Sequence, residues 1–318
     1  MLDKINTGFL HRREQSIYAD ANDILKPLPP FPNIMLIELT NRCNHSCSFC
    51  FNSHSTRKRG NIDGSLLISI LRDAFQLGTR EVGFYSTGEP LLFKNIEKYI
   101  QIAKETGYDY IYITTNGVLA SFNKIKNLIL AGLNSIKFSI NAATRETYKL
   151  IHGKDDFDRV IENLKQIRKF QENYNITFNL GVSYILTEAS RHEKQHAQNI
   201  IGKIVDDIIF YEEGNQGGYM NREGLAPDVK NTPCRMPFNR FHVSYEGFYT
   251  LCCVDYQNYL AVSDLNYTSL YDAWASKLAV DMRNKHLLSN IDGTMCYNCM
   301  KGKTSTVKPL MSKYATPF

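Results

Sequence analysis

Three cysteines within one short run carry the first chemical information in this chain: Cys43-Asn-His-Ser-Cys47-Ser-Phe49-Cys50, a C-x3-C-x2-C spacing. Thiolates this close in sequence can wrap one face of a cubane iron–sulfur cluster, and a [4Fe–4S] cluster needs four ligands. No fourth cysteine lies nearby, so one iron would stay open to something that is not protein. A zinc knuckle or a redox pair is the competing reading. Structural zinc closes with a fourth Cys or His at short range, and His45 sits too tightly inside the triplet to share a tetrahedron. The spacing favours the cluster with an open iron.

A second set follows much later, at Cys234, Cys252, Cys253, Cys296 and Cys299. Cys296-x2-Cys299 alone reads as a redox pair or half a zinc site. Cys253 is the one left over. Adjacent residues on a strand point to opposite faces, so it is not expected to share a group with Cys252, and it reads first as a small buried hydrophobe. Other catalytic patterns are missing. There is no Ser-His-Asp order, P-loop or H-E-x-x-H spacing among the eight histidines. His192 and His196, with Arg191 and Lys194 beside them, read as an exposed helix face.

The elements that must position these residues can be read from periodicity. Residues 1–33 form a polar lead-in ending at Pro27, Pro29, Pro30 and Pro32. The run Ile34-Met-Leu-Ile-Glu38-Leu39-Thr40-Asn41-Arg42-Cys43 reads as a buried strand entering a loop. Helical stripes at Leu67/Ile70/Leu71/Ala74/Phe75, at Ile96/Tyr99/Ile100/Ala103 and at Ile125/Leu128/Ile129 stop at Gly78, Gly107 and Gly132. A fourth runs from Phe157 through Ile167. Strands are expected between them at 81–85, 110–114 and 136–140, then near 177–184 and 207–211. Alternation at about 25–30 residues per unit predicts parallel βα units. Six strands are too few for a closed eight-stranded barrel, and a doubly wound open sheet is the alternative. From about Gly214 helical periodicity is lost. The expected division is 1–33 lead-in, 34–213 α/β domain, 214–230 linker and 231–318 a smaller module.

Composition is that of an ordinary globular protein, 43% hydrophobic and 22% charged over 318 residues. The net charge of +5 and pI near 8.6 fall short of a nucleic-acid footprint, which would show clustered Lys/Arg and a domain pI above about 9. The short run Arg57-Lys58-Arg59 reads as a solvated loop. No apolar stretch approaches the roughly 20 residues of a membrane span, and Met1-Leu-Asp-Lys-Ile-Asn-Thr has no signal-peptide apolar region. A cytoplasmic protein with no membrane and no nucleic-acid partner is expected. In that compartment cysteines serve as metal ligands or free thiols rather than disulfides.

With these residues in view, the chain resembles the radical S-adenosylmethionine (SAM) superfamily. There the loop after the first barrel strand carries this cysteine spacing, with an aromatic before the last Cys as Phe49 is here. The resemblance implies a six-stranded partial (β/α) barrel. It also implies SAM on the open iron, held through its amino and carboxylate groups and cleaved on reduction to a 5′-deoxyadenosyl radical. Functional loops of βα barrels lie at the carboxyl ends of strands, and those positions can be read in order. Ser86-Thr87-Gly88-Glu89-Pro90 looks like the family's GGE-type motif for the SAM amino group, with Thr87 in place of the first glycine. Thr114-Thr115-Asn116-Gly117 is similar to its T-N-G. Ser139-Ile140-Asn141 stands where many relatives have S-[IL]-D, so Asn141 replaces an acid. Ser183 lies on a strand placed like the family's ribose- and adenine-facing one.

The second cysteine set, with Gly247-x4-Cys252 and the segment Ser269-Leu-Tyr-Asp-Ala-Trp274, resembles the SPASM and twitch auxiliary-cluster modules. No cysteine follows Cys299, so the twitch form is implied: one further [4Fe–4S] cluster on Cys234, Cys252, Cys296 and Cys299. A zinc ribbon on the same four thiolates is the alternative. The likeness to twitch dehydrogenases of aminocyclitol biosynthesis implies net two-electron oxidation of a small sugar- or cyclitol-like substrate, lined by Tyr85 and Asp255, with flavodoxin or ferredoxin as external reductant. The alternatives are an epimerase using Cys253 as hydrogen-atom donor, a modifier of a ribosomally made peptide, and a non-catalytic iron–sulfur carrier or zinc-binding module.

Overall fold

The computed structural model of the chain describes residues 24–220, 225, 227 and 233–311. The lead-in up to residue 23, much of the expected 214–230 linker and the last seven residues lie outside the described residues.

The alternation seen in the sequence is present. In chain order the βα units are β1 (Ile34–Ile37), α1 (Gly64–Gln76), β2 (Glu81–Phe84), α2 (Ile96–Thr106), β3 (Tyr110–Thr115), α3 (Phe122–Leu130), β4 (Ser135–Ser139), α4 (Arg145–His152) and α5 (Phe157–Tyr174). They continue through β5 (Asn179–Leu186), α6 (Lys194–Ile200) and β6 (Asp207–Glu212). After them come α7 (Met236–Asn239), β7 (Arg240–Val243), β8 (Phe248–Thr250), β9 (Ala261–Asp264), α8 (Leu270–Trp274), α9 (Lys277–Leu287) and α10 (Met295–Lys301). Strands β1 to β6 are all parallel and neighbour one another in sequence order, which is the six-stranded partial (β/α) barrel.

Each side of this sheet has a distinct chemistry. Met35 and Ile37, Val82 and Phe84, Ile111 and Ile113, Ile136 and Phe138, and Leu180 and Val182 point outward. They pack with the helical stripes into one core. The alternate positions face the lumen in register: Gly83 lies opposite Tyr112, Thr114 opposite Lys137, Ser139 opposite Ser183, and Ile185 opposite Tyr211. Gly83 is required there, because a Cβ would lie 2.6 Å from the Tyr112 ring. Parallel strands buried on one face and lumenal on the other explain why the apolar runs alternate.

The smaller module does not stand apart. β7 pairs in parallel with β1, Ile34 opposite Arg240 and Ile37 opposite Val243. β8 and β9 follow antiparallel, giving one nine-stranded sheet. Gly247 closes the β7–β8 turn with φ 89°, a left-handed conformation that suits glycine. The proline-rich lead-in docks on this module: Trp274, fully buried, donates from its indole to the Pro29 carbonyl at 2.9 Å. Arg283 stacks 3.8 Å over the Trp274 ring and donates to Pro237, Trp274 and Pro27 carbonyls. Every donor of a buried guanidinium needs such a partner.

Candidate functional site

The triplet loop leaves β1 and is fixed from three directions. Glu89 donates its backbone N–H to the Arg42 carbonyl at 2.8 Å. Gly88 allows that approach, since a Cβ there would lie 2.2 Å from the Thr40 carbonyl oxygen. On the other side the C-terminus of α4 meets the loop: Ser48 N–H donates to the Ile151 carbonyl at 2.8 Å, and Ser46 N–H to that of His152 at 3.4 Å. From the smaller module, the Tyr256 hydroxyl lies 3.6 Å from the Cys50 sulfur and donates to Gln216 at 2.6 Å.

This packing puts the three thiols together. Burial, with the Cys50 and Cys43 thiols beside it, pushes the Cys47 thiol well above its usual range. Cys50 is likewise pushed up by burial. Three mutually repelling thiolates are unfavourable unless a cation or metal cluster neutralises them. The donor set therefore fits an iron–sulfur cluster.

The other strand-end residues gather around it. Glu89 accepts from the Thr115 hydroxyl at 2.7 Å, the Asn116 N–H at 2.8 Å and the Leu91 N–H at 3.0 Å, so its carboxylate organises the T-N-G loop. Burial raises its pKa, and those donors oppose the rise. Asn116 donates to Asn44 at 2.8 Å and reaches the Cys43 sulfur at 3.9 Å. Thr87 donates to Glu38. Asn141, fully buried, accepts from Ile185 N–H at 2.8 Å and donates to Ser139 at 3.3 Å. Thr114 Oγ is buried on the lumen face with no partner among the described residues, as a polar ligand site would leave it. Phe49 is buried, its ring edge-on to His152 at 6.4 Å.

Of the second set, Cys234, Cys252, Cys296 and Cys299 line a single cavity of about 250 Å³ together with Met236, Leu251, Met295 and Met300. A cavity of that size walled by four thiols has room for a cubane cluster. Cys296 is pushed well up by burial and by the Cys234 and Cys299 thiols.

Cys253 departs from expectation. β8 ends at Thr250, so Cys252 and Cys253 lie in a turn rather than on a strand. Both border the cavity. Cys253 has His242 and Arg240 as neighbours, and it lies near Tyr85. It therefore sits between the cavity and the lumen. Tyr85 faces that lumen beside Tyr112, with ring centroids 5.9 Å apart. Asp255 does not open onto it. Its carboxylate accepts from Thr250 Oγ1, Leu260 N–H, Tyr259 N–H and the Tyr219 hydroxyl at 2.7, 2.7, 2.8 and 3.2 Å, holding the turn together.

The reading of the basic run changes and that of the paired histidines does not. Arg57 is not solvated: its side chain is 6% exposed and forks onto Glu38 and Glu246. Arg59 donates to the Asn41 carbonyl at 2.7 Å. His192 and His196 are exposed, as expected. The sequence reading missed His152, whose Nδ1 lies 3.4 Å from the Cys47 sulfur, and Tyr256. Neither has a spacing signal, since 105 and 206 residues separate them from their cysteines.

Comparison with known proteins agrees with this arrangement. Residues 37–192 match the radical SAM superfamily, and residues 234–300 match the iron-sulfur cluster-binding domain called SPASM. The chain is a radical SAM superfamily member of the SPASM branch, with [4Fe–4S] clusters and S-adenosylmethionine as cofactors. An uncharacterised protein of Methanocaldococcus jannaschii is 38% identical over 135 residues, 42% of this chain and 43% of that protein. A "Probable GTP 3',8-cyclase" of Saccharolobus solfataricus is 35% identical over 132 residues, 41% of each chain. The match thus spans about two fifths of the length of these relatives.

Among solved structures, BtrN in complex with AdoMet and 2-DOIA superposes with TM-score 0.58 at 17% identity, covering 84% of this chain and 91% of that one. Streptococcus suis SuiB bound to precursor peptide SuiA gives TM-score 0.70 at 15% identity, covering 94% and 79%. Both likenesses concern the fold. No helix among the described residues is long and apolar enough to cross a membrane.

Proposed function

We propose that this enzyme oxidises a small, sugar- or cyclitol-like substrate by two electrons, through removal of one hydrogen atom from carbon. The observation that carries this reading is the convergence of Cys234, Cys252, Cys296 and Cys299 on one cavity. Four protein thiolates leave no iron for substrate, which suits electron transfer. If bound, SAM and a cluster held by Cys43, Cys47 and Cys50 would supply hydrogen-atom abstraction from carbon. A cluster held by Cys234, Cys252, Cys296 and Cys299 would supply a one-electron acceptor, so that loss of the hydrogen atom, one electron and one proton balances as a two-electron oxidation.

This chain's residues do the positioning. Gly88 and Glu89 would set the SAM amino pocket and Asn116, Ser139 and Ser183 would line the mouth of the lumen, with Asn141 buried behind Ser139 and holding it in place. Thr87 is turned to Glu38 and supports that wall from behind. Tyr85, Tyr112 and Arg240 give the lumen a polar wall suited to hydroxyl groups. An external flavodoxin or ferredoxin is the proposed reductant.

A second reading is favoured by the place of Cys253 between the cavity and the lumen, near Tyr85. A thiol there could return a hydrogen atom to the opposite face of the substrate radical, which is epimerisation. Product analysis in deuterated buffer separates the two. Oxidation consumes about one SAM per product, because no hydrogen returns to regenerate it, and survives Cys253→Ala. Solvent deuterium at one carbon of a product of unchanged oxidation state, lost with Cys253→Ala while SAM cleavage continues, would sink the oxidation.

A further inference from the structure

We infer that His152 is a positioning residue for the SAM-binding cluster: its Nδ1–H donates to the Cys47 sulfur and holds that cluster at a higher reduction potential than its thiolates alone would set. The inference rests on Cys43, Cys47 and Cys50 being that cluster's ligands.

The tautomer follows from Asn141. His152 Nε2 faces two donors, the backbone N–H of Asn141 and its side-chain amide nitrogen, each at 3.4 Å. A backbone N–H can only donate, so Nε2 is the acceptor and carries no proton. The neutral ring then has its one N–H on Nδ1, and Nδ1 lies 3.4 Å from Cys47 Sγ. Ring orientation is fixed as well. Tyr148 stacks on the imidazole with centroids 4.0 Å apart, and His152 is 1% exposed. The backbone is held by the two bonds from Ser46 and Ser48. Gly153 ends α4 at φ 69°, where a Cβ would lie 2.6 Å from Ser46 Oγ.

Asn in place of the family's acid thus has a physical role here. A carboxylate at position 141 could not donate to Nε2 and would draw the proton away from Nδ1. His45, Cys47 and His152 lie close enough to read as a cation site, with ligand atoms within 4.8 Å of one another. The bonds present explain the cluster without a cation: His45 Nε2 meets Asp156 at 3.2 Å, and both nitrogens of His152 are engaged.

A hydrogen bond to a cluster sulfur stabilises the reduced, more negative state, so it raises the potential. The test is an EPR redox titration of reconstituted protein, following the signal that SAM perturbs, with iron counted in every sample. His152→Leu should lower the reduced-to-oxidised ratio at fixed potential about tenfold, a shift of about 59 mV for one electron. His152→Asn, whose amide nitrogen overlays Nδ1, should stay near wild type. If leucine costs the protein its iron, His152→Gln takes its place, because that amide reaches toward Nε2 instead. A full-iron leucine or glutamine variant with wild-type potential overturns the inference and leaves the ligand assignment standing, as does an asparagine variant shifted as far as the leucine. Absence of any SAM-responsive signal in wild type overturns the ligand assignment and the inference with it.

Discussion

Glu89 ties its own loop to the T-N-G loop through its carboxylate and to the cysteine loop through its backbone. It accepts from Thr115, Asn116 and Leu91, and its backbone ties the loop to Arg42. Glu89→Ala leaves two buried N–H groups without their acceptor, at about 1–3 kcal/mol each. SAM affinity of the reconstituted variant, measured by equilibrium dialysis, should fall at least about tenfold. An unchanged affinity would take this loop out of SAM binding. Alanine at Cys43, Cys47 and Cys50 together should reduce iron from about eight to about four per chain, since one of two four-iron clusters is lost. Stoichiometric zinc with little iron would contradict both clusters. These residues were legible because their chemistry is local: the cysteine triplet, Gly88-Glu89 and Asn116-Gly117 are contiguous words at strand ends. His152, Tyr256 and Arg57 reach the same place through the folding of distant segments. Arg57 was misread because a basic run looks solvated until its acidic partners, at positions 38 and 246, are brought beside it.

Helix α4 shows how an element can be essential to the site and still be hard to read. Its eight residues, R-E-T-Y-K-L-I-H, are too few for a periodic stripe to stand out. Tertiary bonds define it instead. Thr144 caps its start, and Glu193 accepts from Ala143 N–H at 2.6 Å and from Thr144 and Thr147 hydroxyls at 2.5 and 2.6 Å. Burial pushes the Glu193 carboxyl up, but the two hydroxyls and the amide outweigh it and leave its pKa below the ordinary 4.5. A folded-state pKa below the unfolded one means that the unfolded chain binds more protons in acid, so this stability is present above the ordinary value and lost as pH falls through the folded one. Glu193→Gln should therefore cost about 1–3 kcal/mol near neutral pH. In urea melts that difference should shrink as pH drops below the glutamate range; a pH-independent difference would mean the charge is irrelevant. The long helices were legible because their stripes and stop glycines are local. β7 was not, because four residues, R-F-H-V, acquire their meaning only by pairing with β1 some two hundred positions earlier.

At the scale of the molecule, the barrel and the cysteine-rich module are one sheet, joined where β7 meets β1, and a buried ion group stands at that seam. Arg57 donates to Glu38 at 2.6 Å and to Glu246 at 2.5 Å, and stacks 5.1 Å over Tyr245. Tyr245 N–H donates to Glu38 at 3.0 Å. Glu38 directly follows the first strand, Arg57 follows the cysteine triplet, and Glu246 lies in the β7–β8 turn, so one guanidinium fastens all three. Glu38 is 2% exposed and its carboxylate has few other ways to be neutralised. Arg57→Met should therefore destabilise by about 3–5 kcal/mol, the usual cost of leaving one buried charge without its partner. Adding Glu38→Gln should recover a good part of that loss, because the orphaned charge is then gone. Continuity of the sheet further predicts that both variants, like the parent, melt in a single calorimetric transition with barrel and module lost together. Two separated transitions, or a double variant no better than Arg57→Met alone, would show that the seam does not couple the SAM side to the module that carries Cys234, Cys252, Cys296 and Cys299.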